Sequence, residues 1–304
     1  MRNKSVRVVA VLLLLLTPVL GAGELVRLVR NKLSAGDLAS GLAAAESYKE
    51  KSGVDAEYLD AVGWLARGAE MLRQYETAAA LVAELRREIR EEKAELLAPY
   101  GAGIEVEGKL LAVREGRGAA LQFLEAEFAR AKNVSLRARI RRTINALSLE
   151  GQLAPELPLS NFSGPQPGAL AAQKGKPVLL FLWAHWCGDC RAQATSLSRL
   201  TQKYAPRGLV VMAPTRLYGT GAQDKAATPE EEKAHIQKVW AESYPGLESV
   251  PIVIDTEMMV RYGVSATPTY VLIDRKGLVR MYAPTRLSEA ELTRRIEAVL
   301  AETL

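Results

Sequence analysis

Two cysteines, Cys187 and Cys190, occur in the 304 residues, separated by Gly188 and Asp189. A two-residue spacer lets both sulfurs meet within one helical turn, so the pair can cycle between dithiol and disulfide. That chemistry needs a thiolate as the attacking group. The apolar run at 178–184, behind Gly175, Lys176 and Pro177, predicts a buried strand. After Cys190, Leu197, Leu200 and Tyr204 recur at helical spacing, and Pro206 and Gly208 end the pattern. The pair therefore falls where a strand turns into a helix. Unpaired N–H groups and the positive dipole end favour an anionic sulfur there. Cys187 is the expected nucleophile, and Cys190, one turn inward, the resolving thiol. Asp189 brings negative charge near the sulfurs and disfavours the thiolate. His185 and Arg191 offset it if their side chains turn inward. On balance the pair is expected to act in the reducing direction.

A zinc half-site would need four ligands. The chain has two cysteines and two histidines, and His185 lies on the strand side of Cys187. No metal site is expected, and no cofactor. A purely structural disulfide would close too short a loop to constrain much chain.

About eighty residues downstream, Gly263-Val264 leads through Thr267-Pro268-Thr269 into an apolar strand that ends at Asp274, and Gly277 supplies a hairpin turn. Taken with Trp183-Ala184-His185-Trp186-Cys187-Gly188-Asp189-Cys190, this segment makes residues 155–304 resemble the TlpA/ResA-like, membrane-linked thiol–disulfide oxidoreductases of the thioredoxin fold. The resemblance covers about half the chain. It implies that Pro268 is a cis-proline packed beside the sulfurs. It also implies that the Thr267 main chain pairs with an extended substrate segment, and that Trp186 shields the site and contacts substrate. Asp189 and His185 would tune the nucleophile. Two departures stand out. Phe181 occupies the position where many thioredoxins carry a buried acid, and the dipeptide between the cysteines is Gly-Asp rather than Gly-Pro.

The amino end carries Arg2, Lys4 and Arg7, an apolar stretch at 8–20, then small residues at 21–23. This is the pattern of an export signal, residues 1–23. The apolar stretch is shorter than the ~20 residues that span a bilayer; retained, it would be a membrane anchor. Export to a periplasmic or other extracytoplasmic space puts the pair in an oxidising compartment. Staying reduced there requires a membrane-linked electron donor. The net charge of +5 falls to +2 beyond the signal, which leaves no electrostatic footprint for nucleic acid.

Composition shifts at 151–168, where four prolines cluster, and this segment reads as a linker. Residues 24–150 read as an all-helical unit of helical hairpins. Its apolar stripes include Tyr58, Leu59, Val62, Leu65 and Ala66, then Leu81, Val82 and Leu85, and then Leu136, Ile140, Ile144 and Leu147. Some positions weakly resemble a tetratricopeptide repeat, and an irregular helical bundle is the alternative; either implies a surface for docking a protein partner or for oligomerisation. The glycines at 101–108 suggest a loop. Residues 169–304 are expected to form the α/β thioredoxin-like unit, a mixed sheet with helices on both faces. Capping boxes are expected at Thr228/Glu231 and Ser288/Glu291.

Protein disulfides are the implied substrates. Two other chemistries use related folds. A peroxiredoxin-like peroxidase sets its cysteine in a Pro/Thr-rich loop, and a Sco-like copper protein uses wider cysteine spacing and a later histidine. Cys187 lacks the first setting, and His235 is poorly placed for the second. The segment Ala-Pro-Thr-Arg-Leu occurs twice, at 213–217 and 283–287, each time after a strand.

Overall fold

The computed structural model describes residues 23–302. The predicted export signal lies outside these residues except for Gly23. Among the described residues no helix is long and apolar enough to cross a membrane.

The N-terminal half is helical. It contains α1 (Glu24–Ser34), α2 (Leu38–Ser52), α3 (Ala56–Met71), α4 (Tyr75–Glu88), α5 (Leu97–Arg114), α6 (Arg117–Arg130) and α7 (Val134–Ser148). Side chains that accept from free N–H groups start three of them: Asp37 caps α2, Asp55 caps α3 and Asn133 caps α7. The predicted stripes face inward. Leu25, Val29, Leu65 and Leu85 sit in one core, and Ile104, Leu124, Leu136, Ile140 and Ile144 in a second. Residues 101–108 are not a loop; they lie inside α5. Their glycines serve close packing instead of turns. A Cβ on Gly101 would come 2.7 Å from the Arg139 side chain, and one on Gly108 would come 2.7 Å from Leu124. Pro99 falls in the first turn, where its missing N–H costs no helix bond.

The C-terminal half is built on β1 (Phe162–Ser163), β2 (Val178–Leu182), β3 (Val210–Met212), β4 (Ile252–Val253), β5 (Thr269–Ile273) and β6 (Val279–Ala283). Four strands run in the order β3-β2-β5-β6, with β2 parallel to β3 and antiparallel to β5, and β5 antiparallel to β6. β1 pairs antiparallel with β4. Main-chain bonds from Ala213 to Pro251 and from Thr215 to Val253 tie this pair to the exit of β3. The helices are α8 (Gly188–Arg191), α9 (Ala194–Tyr204), α10 (Pro229–Ser243), α11 (Thr256–Arg261) and α12 (Glu289–Ala301). Separate apolar cores cover the two faces of the sheet. This mixed sheet with helices is a thioredoxin-like fold. The capping box at Thr228 is complete. At Ser288 the hydroxyl accepts from Glu291, whose own carboxylate engages Arg294 and Arg295.

The two halves meet through α7. Asn145 donates to the Arg261 carbonyl at 3.0 Å, and Arg137 pairs with Glu257 at 3.0 Å. The chain leaving α7 bonds to β6 through Gly151 and Gln152, both to Val279. A tight contact falls at Gly263, whose φ is +64° and whose Cβ, if present, would lie 2.4 Å from the Arg142 nitrogen. Backbone cannot yield as a flexible side chain can. Gly263→Ala is therefore expected to cost about 1–3 kcal/mol through overpacking and left-handed strain. A urea titration should show the lowered midpoint, and an unchanged midpoint would mean that the contact is slack.

Candidate active site

β2 delivers the cysteine pair to one edge of the sheet. Val178, Leu179, Leu180, Phe181 and Leu182 are buried on both faces, as a central strand requires. The chain then turns through Ala184, whose carbonyl accepts from the Cys187 N–H at 3.0 Å, and enters α8. Cys187 is the N-cap of α8, and its sulfur accepts from the Cys190 N–H at 3.0 Å. A donor aimed at the sulfur is the geometry that stabilises a thiolate when the bond is open. Here Cys187 and Cys190 are joined as a disulfide. Cys187 is 4% exposed and Cys190 is fully buried, so an incoming group meets Cys187 first.

The Thr267–Pro268 peptide is cis, and the Thr267 carbonyl oxygen lies 3.5 Å from the Cys187 sulfur. Trp186 is 48% exposed beside the pair. Its ring meets Tyr218 edge-on at 5.3 Å, and the Arg216 guanidinium lies over the same tyrosine at 4.5 Å. Tyr218 thus joins the site from the long loop after β3.

The charged neighbours do not take the places that sequence spacing suggests. His185 is buried, and its Nε2 lies 3.0 Å from a Glu232 carboxylate oxygen. Arg191 donates to the His185 carbonyl at 3.0 Å. Asp189 faces Arg286 at 3.4 Å, with both side chains more than half exposed. The partner of Asp189 is thus an arginine from the far end of the chain. Solvent screens such a pair strongly.

Glu232 escaped the sequence reading. Its two carboxylate oxygens accept from the Tyr218 and Gly219 N–H groups at 2.6 and 2.7 Å, so one buried acid anchors both His185 and the Tyr218 loop. A signal was present. Glu232 stands four residues before Ile236 and eight before Trp240, on the apolar face of α10. His235 is half-buried with its ring 5.1 Å from His185. Gln193 was also missed; it accepts from the Tyr270 hydroxyl and the Leu287 N–H and ties α9 to both β5 and the segment after β6.

Comparison with known proteins agrees with this geometry. Residues 149–294 match the Redoxin family. The C-terminal half carries a Redoxin domain. A thioredoxin-like protein, YneN, from Bacillus subtilis is 29% identical over 149 residues, covering 49% of this chain and 79% of its own. A thiol-disulfide oxidoreductase, ResA, from Geobacillus thermodenitrificans is 28% identical over 151 residues, covering 49% of this chain and 77% of its own. A thiol:disulfide interchange protein, DsbE, from Tatumella citrea is 29% identical over 143 residues, covering 45% and 66%. The crystal structure of a thiol-disulfide isomerase from Corynebacterium glutamicum aligns with 50% of this chain and 98% of its own, at 18% identity and a TM-score of 0.42. The Redoxin domain belongs with the thioredoxin-like thiol–disulfide oxidoreductases.

Two features of this Redoxin domain follow from its topology. Phe181, at the position of the missing acid, is fully buried against Tyr270 and Tyr244, with ring centres 5.3 and 6.1 Å away, and offers no route for a proton. The repeated Ala-Pro-Thr-Arg-Leu segments leave β3 and β6. Both strands run parallel to β2, so both repeats emerge at the edge that holds the cysteines. Arg216 therefore flanks Trp186 and Tyr218, while Arg286 flanks Asp189.

Proposed function

We propose that this chain is an exported protein thiol–disulfide oxidoreductase that reduces client disulfides through Cys187 and Cys190. The observation that carries this reading is the sulfur pair itself. Cys187 caps a helix start, receives the Cys190 N–H and lies against the Thr267–Pro268 peptide under an exposed tryptophan. In the dithiol form the Cys187 thiolate attacks one sulfur of a client disulfide. A Cys187–client bond forms, and the client's other sulfur leaves as a thiolate. Cys190 then loses its proton and attacks the Cys187 sulfur. This closes the Cys187–Cys190 disulfide and releases the second client thiolate, so two electrons pass from the pair to the client. Thr267 and Pro268 would hold the client main chain alongside, with Trp186 as an apolar contact. A membrane-linked dithiol donor would reopen the pair.

Reduction is the favoured direction because Asp189 adds negative charge beside the sulfurs, against the stabilising Cys190 N–H and with Arg286 offsetting part of it. A less stabilised thiolate makes the dithiol the better electron donor. Export and the option of an anchor at 8–20 rest on the amino-terminal pattern. The division into 24–150, a linker at 151–168 and 169–304 belongs to the same reading and is supported by the separate apolar cores of the two halves.

The decisive experiment is trapping. In Cys190→Ser the resolving sulfur is gone, so Cys187 should accumulate disulfide-linked client adducts that thiol reductant dissolves. These adducts are read on non-reducing gels and by mass spectrometry. An absence of adducts at Cys187 would remove the reading.

A further inference from the structure

A groove of about 230 Å³ runs between the helical half and the redox site. Ser135 and Arg139 of α7 form one wall, and Trp186, Arg216, Tyr218 and Thr267 contribute to the other. Trp186 neighbours the attacking cysteine in the chain, and the Thr267 carbonyl touches its sulfur. A segment lying in this groove would therefore reach the reacting atoms while contacting α7.

The charge of the groove is one-sided. It is lined by two arginines and no acid. Arg139 donates to the Ala98 carbonyl at 2.9 Å, and Arg216 lies over the Tyr218 ring; among the described residues neither forms an ion pair with a carboxylate. Burial, and then the nearby charges of Arg67 and Arg142, lower Arg139 to about 10 against the opposing pull of Glu105 and Asp60, and it stays charged at neutral pH. Other arginines of α7 are already matched: Arg137 by Glu257, Arg141 by Glu125 and Arg142 by Glu105. Among the described residues Arg139 thus differs from its neighbours on α7 in having no carboxylate within ion-pair distance.

We propose that the groove between α7 and the Thr267–Pro268 loop is a recognition site for an extended client segment that carries a carboxylate beside its reactive cysteine. Arg216 and Arg139 receive that carboxylate. The helical half then acts as a selector of clients in addition to any docking surface elsewhere on it. This rests on the oxidoreductase reading above. The approach of Gly263 to Arg142 and the Asn145–Arg261 bond set the width of the groove.

The test uses the full chain in its dithiol form and three synthetic eight-residue peptides. Each is a disulfide-linked homodimer of a single-cysteine sequence, with Glu, Gln or Lys on either side of the cysteine. The rate constant for disulfide reduction is read by mass spectrometry of quenched samples. The Glu peptide should react about tenfold faster than the Lys peptide at low salt, with Gln between them. Raising the ionic strength from about 0.01 M to about 1 M shortens the screening length from ~30 Å to ~3 Å and should nearly erase the difference. In Arg216→Gln the Glu-to-Lys ratio should fall at least about threefold. A ratio is insensitive to a general loss of activity, and the wild-type salt series needs no variant at all. Equal rates for the Glu and Lys peptides, or a ratio untouched by salt, would overturn the groove proposal while leaving the oxidoreductase reading intact. Failure to reduce any of the three peptides would overturn both.

Discussion

Serine at position 187 should abolish disulfide reduction, while serine at 190 should spare the first attack. The expected loss for Cys187→Ser is about four orders of magnitude or more, the scale on which removal of an attacking nucleophile is felt. The asymmetry follows from placement. Cys187 is the more accessible sulfur and the one that receives an N–H from the start of α8, whereas Cys190 is enclosed. A hydroxyl in the place of Cys187 accepts the same N–H but is protonated at neutral pH and cannot form a disulfide. Insulin reduction by dithiothreitol-primed protein measures the full cycle. Single-turnover adduct formation measures the first step alone. Cys187→Ser should fail in both assays, and Cys190→Ser only in the first. If Cys187→Ser retained wild-type turnover, the assigned order of attack would be wrong.

How much of this was legible in the sequence depends on the range of the interaction. The cysteine pair, the strand that carries it and the Thr-Pro segment are local patterns, and the apolar run at 178–182 emerges as β2. The thioredoxin-like sheet followed from the same patterns. Features that depend on partners far along the chain were hidden. The spacing of Glu232 from Ile236 and Trp240 marks it for the buried face of α10, but only folding sets it against His185. Asp189 reads as flanked by His185 and Arg191, yet it faces Arg286, almost a hundred residues away. The doubled Ala-Pro-Thr-Arg-Leu segments had no evident purpose as sequence. Their common place at the cysteine edge follows only from the strand directions. The glycines of α5 misled for a related reason. Glycine signals a turn when judged alone, but at Gly101 and Gly108 it admits neighbouring side chains of α7 and α6.

Neutralising Glu105 should cost the helical half much of its stability. Its carboxylate is buried in α5 and meets Arg67 at 3.1 Å, Arg142 at 2.9 Å and Lys109 at 3.3 Å. Burial alone would push this carboxyl up, but Arg142, Arg67 and Lys109 together outweigh it and hold the group at about 2, against an ordinary 4.5. Glu105→Gln keeps the shape and leaves three cations without their shared counter-charge, at a cost of about 3–5 kcal/mol. The pH dependence has a definite sign. The folded value is depressed, so the stabilisation is complete above pH 4.5 and is lost as pH falls towards about 2. The shift itself corresponds to roughly 3 kcal/mol. Urea midpoints of wild type and Glu105→Gln should therefore differ widely at pH 7 and converge as the pH drops from 4.5. A gap that stays constant with pH would mean that packing, not charge, is what Glu105 supplies. Arg142 couples this network to the redox site, since its backbone is the surface against which Gly263 packs.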